Sequence, residues 1–395
     1  MKQILRSYDF GLLAIILLLG IFGLLMVYSS SFAFAEIKHG NPQYFFNKQL
    51  IWLIIGLTLF FFVSIFPYQL YGRWIIPIVF LTFLLLIAVL IPGVGIERNY
   101  SQRWLGAGPL IFQPSELAKI AFIVYFSKVY TNKQKDIESF TKGVLPPLII
   151  LGAGFGLILV QPDLGTGTSI LLACGLILSV SGIRQVHFWA LAGTAAAGIA
   201  VLAFSASYRL ERLTSFINPF ADPDGSGFQL VNSYLSIGTG GVTGTGLANS
   251  VQKLGYLPEA HTDFIMAIIA EELGFLGVAM TMILYLLLLF KGFHIFQKTE
   301  NPFGKLLALG FTFQIISQAM INLGAVTGML PITGITLPLI SYGGTSMVIT
   351  FISLGIMMNI SLQQNYRLKY KKSGNTTPPN RVKDEKTYHR PVWNG

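Results

Sequence analysis

Asp263 closes the run Leu257-Pro258-Glu259-Ala260-His261-Thr262-Asp263-Phe264, where polar sequence gives way to a long apolar stretch. A carboxylate on such a border meets water on one side and an apolar phase on the other. Partial loss of solvent raises its pKa and suits it to general-base work. The same residue could equally cap the helix after it, because Asp accepts hydrogen bonds from a first turn and favours the positive end of the dipole. Position alone leaves the two readings level. Glu259 and His261 are near enough in sequence to tune the carboxylate, although a single histidine in a loop is more often simply solvated.

Several basic groups could serve an anionic substrate beside it. Arg98 and Arg103 precede the run Gln113-Pro114-Ser115-Glu116-Leu117-Ala118-Lys119, and Arg209 and Arg212 open a long polar segment. The planar guanidinium fork suits each arginine to clamping a diphosphate, while any one alone reads as a lipid-headgroup contact. Glu116 and Lys119 stand three apart behind Pro114, a good first helical residue, so acid and base share one helix face. They form either a structural ion pair or, through Lys119, the lining of an anion cavity. Glu271 and Glu272 are adjacent and cannot share a face; hydrogen-bonded structural roles suit both, since an ionisable group within a span costs ~2.5 to 3.5 kcal/mol on insertion scales.

These groups are set in an unusually apolar chain. Of its 395 residues, 53% are hydrophobic and only 11% charged, which excludes an ordinary water-soluble enzyme. Ten apolar stretches are predicted as transmembrane helices, near 10 to 29, 49 to 66, 75 to 92, 115 to 131, 144 to 161, 165 to 182, 187 to 205, 264 to 290, 305 to 328 and 343 to 363. The first is a retained span rather than a removable signal peptide. The fold expected is an all-α integral membrane protein with one large outer loop, about 206 to 263, between spans seven and eight.

Most of the 27 Lys and Arg residues fall on one side of these spans, at Lys2, Arg6, Arg73, Lys128, Lys133, Lys135, Lys142, Arg184, Lys291, Lys298, Lys305 and from Arg367 to Arg390. That bias places both termini in the cytoplasm and accounts for the net charge of +10 without nucleic acid. Residues 1–365 form the membrane domain. Residues 366–395 read as a basic, disordered cytoplasmic tail near anionic lipid. Cys174, the single cysteine, lies inside an apolar run, which excludes an intrachain disulfide.

The outer loop is long enough to carry function and apolar enough to fold against the outer leaflet. Its run Gly238-Thr239-Gly240-Gly241-Val242-Thr243-Gly244-Thr245-Gly246 fits neither nucleotide-binding glycine pattern and reads as a flexible or tight turn. Pro331-Ile332-Thr333-Gly334-Ile335-Thr336-Leu337-Pro338, with Ser341-Tyr342-Gly343-Gly344 after it, reads as irregular, re-entrant backbone. Such backbone is tolerated only where protein buries it or it lines a wet chamber.

Taken in order, Met26-Val27-Tyr28-Ser29-Ser30-Ser31, Arg103-Trp104, Gln113-Pro114-Ser115-Glu116, Gln161-Pro162-Asp163-Leu164-Gly165-Thr166, the Pro258 to Phe264 run, Glu271-Glu272-Leu273-Gly274, Leu337-Pro338 and Ser341-Tyr342-Gly343-Gly344 resemble the SEDS family of peptidoglycan polymerases, the FtsW, RodA and SpoVE group. The likeness runs over nearly the whole chain. It implies a bacterial cytoplasmic-membrane glycosyltransferase that polymerises lipid II by β-1,4 bonds on the outer face, releasing undecaprenyl diphosphate. The family's essential carboxylate falls on Asp263, with Arg103, Lys119, Arg209 and Arg212 as diphosphate-binding candidates. Gln113, Glu116, Gln229, Glu259, His261 and Ser341 stand in support. The resemblance leaves room for a divalent cation, Mg or Mn, without fixing its ligands; Gly255 stands where some members carry an extra acid. It further implies a class B penicillin-binding transpeptidase and other division membrane proteins as partners. The spelling from Lys253 to His261 is more like FtsW, and hence septal synthesis, than the elongation member RodA.

A lipid II flippase is the rival reading. Asp163, Glu271 and Glu272 would then be alternating-access switches, and both membrane faces would need polar openings. The polar, irregular segments collect on one side of the chain, which favours the enzyme. A scaffold that only recruits partners would leave the outer-loop acids dispensable.

Overall fold

The computed structural model describes residues 6–98, 101–107, 110–204 and 207–371. Every one of the ten apolar stretches forms a helix, and the local reasons are visible at the ends. α1 (Phe10–His39) begins at Asp9, whose carboxylate accepts from the Leu12 amide, and stops at Gly40 in the left-handed region (φ 63°), where an added side chain would be strained. α2 (Tyr44–Ile65) returns. A short α3 (Gln69–Arg73) turns into α4 (Ile75–Val89). Pro114 opens α5 (Pro114–Asn132). Next come α6 (Leu145–Val160) and α7 (Leu164–Val180), α7 capped by Asp163 through the Thr166 amide. α8 (Gln185–Phe204), α9 (Ser207–Ile217) and α10 (Phe228–Gly240) lead into α11 (Ile265–Lys298). Asn301 caps α12 (Pro302–Val326), and α13 (Gly344–Lys371) ends the described chain.

Seven of the described helices are long and apolar enough to cross a membrane unaided, α6 being so when joined to the helical turn Phe140–Val144 before it, whereas α4 and α7 are shorter and α5 carries Glu116, Lys119 and Lys128. Burial ranks them. The apolar stretches of α12 and α13 are 72% and 78% buried, while no residue in that of α8 is fully buried, so the first two are the central pillars and α8 lines the rim. α13 packs along α2, and α12 against α11, α7 and α5. The lysine and glutamate of α5 are tolerable because this helix is enclosed by its neighbours rather than by lipid.

The fold is helical as expected, with one addition: β1 (Ile96–Arg98), β2 (Ser101–Ala107) and β3 (Leu110–Phe112) form an antiparallel meander between α4 and α5. Helical periodicity gives no hint of so short a sheet. The tail boundary also moves, because α13 continues to Lys371; residues 372–395 lie outside the described set. Of the two readings of the Gly238–Gly246 run, flexible or tightly turned, the structure has the tight turn, with Gly241, Gly244 and Gly246 at positive φ, and it adds a splice into α11. α11 breaks at Gly274 (φ 63°, ψ −159°), roughly 13 Å along its axis. The glycine run lies in the break: the amides of Thr245 and Gly246 donate to Glu271 and Glu272 carbonyls (2.9 and 3.0 Å), and those of Phe275 and Leu276 donate to Gly241 and Val242 carbonyls (2.9 and 3.2 Å). Backbone groups that the kink would orphan in an apolar phase are thereby satisfied.

A Cβ on Gly274 would come within 2.4 Å of the Gly244 nitrogen, at a φ that L residues rarely adopt. Gly274→Ala is therefore expected to lower the unfolding temperature in detergent by several degrees. Gly198→Ala, on exposed α8 with nothing within 4 Å, should leave it unchanged or slightly higher.

Candidate active site

Asp263 lies one residue before the α11 cap, Phe264, and its carboxylate does not cap that helix. Among the described residues nothing donates a hydrogen bond to it. The main chain is fixed instead: the Asn322 amide group donates to the carbonyls of Asp263 and Ile335, both at 2.7 Å, joining the head of α11 to the 331–343 loop. Gly334 of that loop (φ 71°) faces the carboxylate, which would sit 3.4 Å from any Cβ there. The side chain is half-buried, so water still reaches it. Burial and the Glu259 charge push its pKa up to about 7, against the pull of Arg212 and Arg103.

The two arginines that act on Asp263 are held by backbone carbonyls. Arg103, on β2, donates through Nε to the Gln161 carbonyl (2.8 Å) and through a terminal nitrogen to the Pro162 carbonyl, at the end of α6. Arg212, on α9, reaches the Ile332 carbonyl at 3.3 Å. β2, α9, the α11 head and the 331–343 loop thus converge on one carboxylate. Arg209 donates to the Leu202 carbonyl at the end of α8, farther along the rim. The side chain of Arg98 lies outside the described set.

The remaining expected residues serve mainly to tie elements together. Lys119 is buried, its ammonium shared between Glu116 and Gln318 at 2.8 Å each, so the structural ion pair is formed and two of its three N–H donors are committed inside the bundle. Gln113 and Ser115 both donate to Asp163 (2.8 and 2.9 Å), tying α5 to α7. The Ser341 hydroxyl accepts from the Leu337 amide, and the Ser341 carbonyl accepts from Gln49. Gln229, half-buried on α10, makes no side-chain hydrogen bond among the described residues. The exposed Glu259 accepts from Thr262 at 2.7 Å.

His261 corrects the picture of a solvated loop histidine. Its ring is buried among Phe45, Phe34 and Tyr342, with centroids 4.4, 5.6 and 5.7 Å away, and its carbonyl accepts from the Tyr342 amide. Burial drives its pKa down to about 4, with Glu259 opposing and Lys38 adding to the effect. It is neutral at physiological pH and holds the turn that carries Asp263.

Sequence reasoning misses Lys253 and Asn322. Lys253 is buried, 2.5 Å from Glu272, which also accepts from Ser29 of α1, and its ammonium lies over the Phe32 ring. Glu271 accepts from Ser250 and from the Val251 amide. The two adjacent glutamates thus both hold the returning 245–254 arm, Glu271 at Ser250 and Val251 and Glu272 at Lys253. Nothing in the spacing of Lys253 marks it as buried. Asn322 does leave a signal: Gln314, Gln318 and Asn322 recur every fourth residue of an apolar helix, a polar stripe along one face.

Comparison with known proteins points the same way. Residues 10–366 match the family described as cell cycle protein, which joins FtsW, RodA and SpoVE. Stage V sporulation protein E of Bacillus subtilis (strain 168) is 42% identical over 360 residues, spanning 91% of this chain and 98% of that protein. The probable peptidoglycan glycosyltransferase FtsW of the same organism is 41% identical, over 96% of each. Among solved structures, a chain from work on "structural coordination of polymerization and crosslinking by a peptidoglycan synthase complex" superposes with a TM-score of 0.75 at 30% identity, covering 90% of this chain and 98% of that one. The rod shape determining protein RodA of Thermus thermophilus gives 0.65 at 27% identity, covering 90% and 96%. This chain belongs to the FtsW, RodA and SpoVE family of cell cycle proteins.

Proposed function

We propose that the protein is a peptidoglycan glycosyltransferase that polymerises lipid II, with Asp263 as the general base. The observation that carries this is the uncapped, half-buried carboxylate with its pKa raised to about 7, facing two fixed arginines. A base must hold a pKa near the working pH to be both ionised and able to take a proton, and this one does. The acceptor sugar's 4-hydroxyl gives its proton to an Asp263 oxygen as its own oxygen attacks the donor anomeric carbon. The bond to the undecaprenyl diphosphate breaks, and charge grows on the departing phosphate. Arg103 and Arg212 are fixed before that charge develops, so little reorganisation accompanies its stabilisation. The carboxylates of Asp263 and Glu259 are the groups here that could hold a divalent cation. Among the described residues no cluster of three His, Cys, Asp or Glu side chains forms a ready-made metal cage.

The identities to SpoVE and FtsW support a role in septal or spore wall synthesis, the likeness to a chain of a peptidoglycan synthase complex supports a class B transpeptidase beside it, and the Lys and Arg bias supports cytoplasmic termini. The test is glycan polymer formation from labelled lipid II by the purified chain with such a transpeptidase. Rate should climb with pH and reach half its maximum near 7, because only ionised Asp263 accepts the proton. A rate flat from pH 5.5 to 8 removes Asp263 as base, and lipid II transfer across vesicles without polymer replaces the enzyme with a flippase.

A further inference from the structure

A cavity of about 240 Å³ opens at the end of the bundle opposite Asp263, lined by Tyr8, Asp9, Phe10, His294, Lys298 and Gln364, with Ser361 and Asn365 behind. Three independent observations give it a ligand chemistry. Gln364 is only 7% exposed, yet its amide has no hydrogen-bond partner among the described residues. That amide lines the cavity with its N–H donors uncommitted, so they are free to be accepted by a ligand there. His294 and Lys298 stand four apart on α11 and so share a face; among the described residues neither makes a hydrogen bond or an ion pair. Finally, α1 begins at this wall, bringing its positive end to the cavity.

The one carboxylate here does not cancel that character. Asp9 is already engaged by the Leu12 amide and by Lys291 at 2.9 Å. Beyond Gln364, α13 adds Arg367 and Lys369, the latter donating to the Arg6 carbonyl, so further basic groups follow the cavity along this helix. Phe10 and Phe293 are 61% and 46% exposed at the same level, an apolar border that a free anion has no use for and an acylated one does. The chain's own segment after residue 371 is an unsuitable occupant, since its Lys and Arg outnumber its Asp and Glu.

We propose that this cavity binds the phosphate of an anionic phospholipid headgroup, held by Lys298, His294 and the Gln364 amide, with Phe10 against the lipid's glycerol and chains. Basic pockets between spanning helices are suited to such headgroups. The proposal is independent of the chemistry at Asp263. The lipid would join α1, α11 and α13 at the end far from the reaction.

Native mass spectrometry of the full chain in detergent tests it, with phosphatidylglycerol, phosphatidylcholine and inorganic phosphate as probes. One phosphatidylglycerol should be retained at low lipid ratios in preference to phosphatidylcholine. Lys298→Gln and Gln364→Leu should each cut its occupancy at least fivefold, while Gln297→Ala, on the exposed neighbouring face, leaves it unchanged. Unfolding temperatures of the variants measured without lipid separate lost binding from lost folding. Equal retention of the two lipids, or native occupancy in both Lys298→Gln and Gln364→Leu, overturns the proposal. Full displacement by millimolar inorganic phosphate assigns the site to a free anion and overturns the lipid assignment.

Discussion

Asp263→Asn is expected to reduce glycan polymerisation from labelled lipid II by about 10²- to 10⁴-fold, the usual worth of a positioned general base. Asn keeps the size and shape of Asp but cannot accept the hydroxyl proton, and the fold does not depend on the charge. Asp263 makes no cap, and Asn322 holds its carbonyl, which survives the substitution. A second readout separates a lost base from a lost fold. In the folded chain the Asp263 pKa is raised from 3.8 to about 7, so between those values the native state binds more protons than the unfolded one, and stability falls as pH rises through that window. The Asn variant lacks this liability. Its unfolding temperature should exceed that of the native chain at pH 8 and match it near pH 4. Substantial polymerisation by the variant would end the assignment, and equal unfolding temperatures at pH 8 would show that the carboxylate is not strained by burial.

Lys253→Met should produce the largest loss of stability, on the order of 3 to 5 kcal/mol, because it leaves Glu272 charged and buried without its cation. Met keeps an unbranched apolar stem in the buried site and removes the ammonium, together with its contact over the Phe32 ring. Adding Glu272→Gln should restore much of the loss, since a neutral amide can still hydrogen-bond Ser29. Thermal unfolding of the single and double variants in one detergent reads the difference as a coupling. Additive losses would mean that the pair is a bystander. The active-site consequence is expected too: the 245–254 arm leads directly into the Pro258–Asp263 turn, so polymerisation should fall in the single variant and recover in the double.

The spans are legible in the sequence because an apolar stretch of about twenty residues has few alternatives to a membrane helix. Asp263 is legible as a candidate because it stands where polar sequence meets such a stretch, although only the finding of Phe264 at the cap separates its two roles. The small sheet is not legible: β1 and β3 have three residues each, too few for an alternating pattern to emerge. The sequence misleads on His261 because its burial comes from Phe34 and Phe45, more than two hundred residues earlier, and from Tyr342, eighty later. Lys119 shows the opposite case. The pairing with Glu116 is dictated by spacing alone, while Gln318, the second acceptor, lies on another helix and has no sequence mark linking it.

The splice at Gly274 has a dynamic consequence. Amides at Thr245, Gly246, Phe275 and Leu276 donate across two segments about thirty residues apart, so none can open by simple fraying of a helix turn. In hydrogen–deuterium exchange these four sites would lose protection together, at a single rate, when arm and helix part company. α11 around its break and the arm that leads to the carboxylate are thereby one mechanical unit.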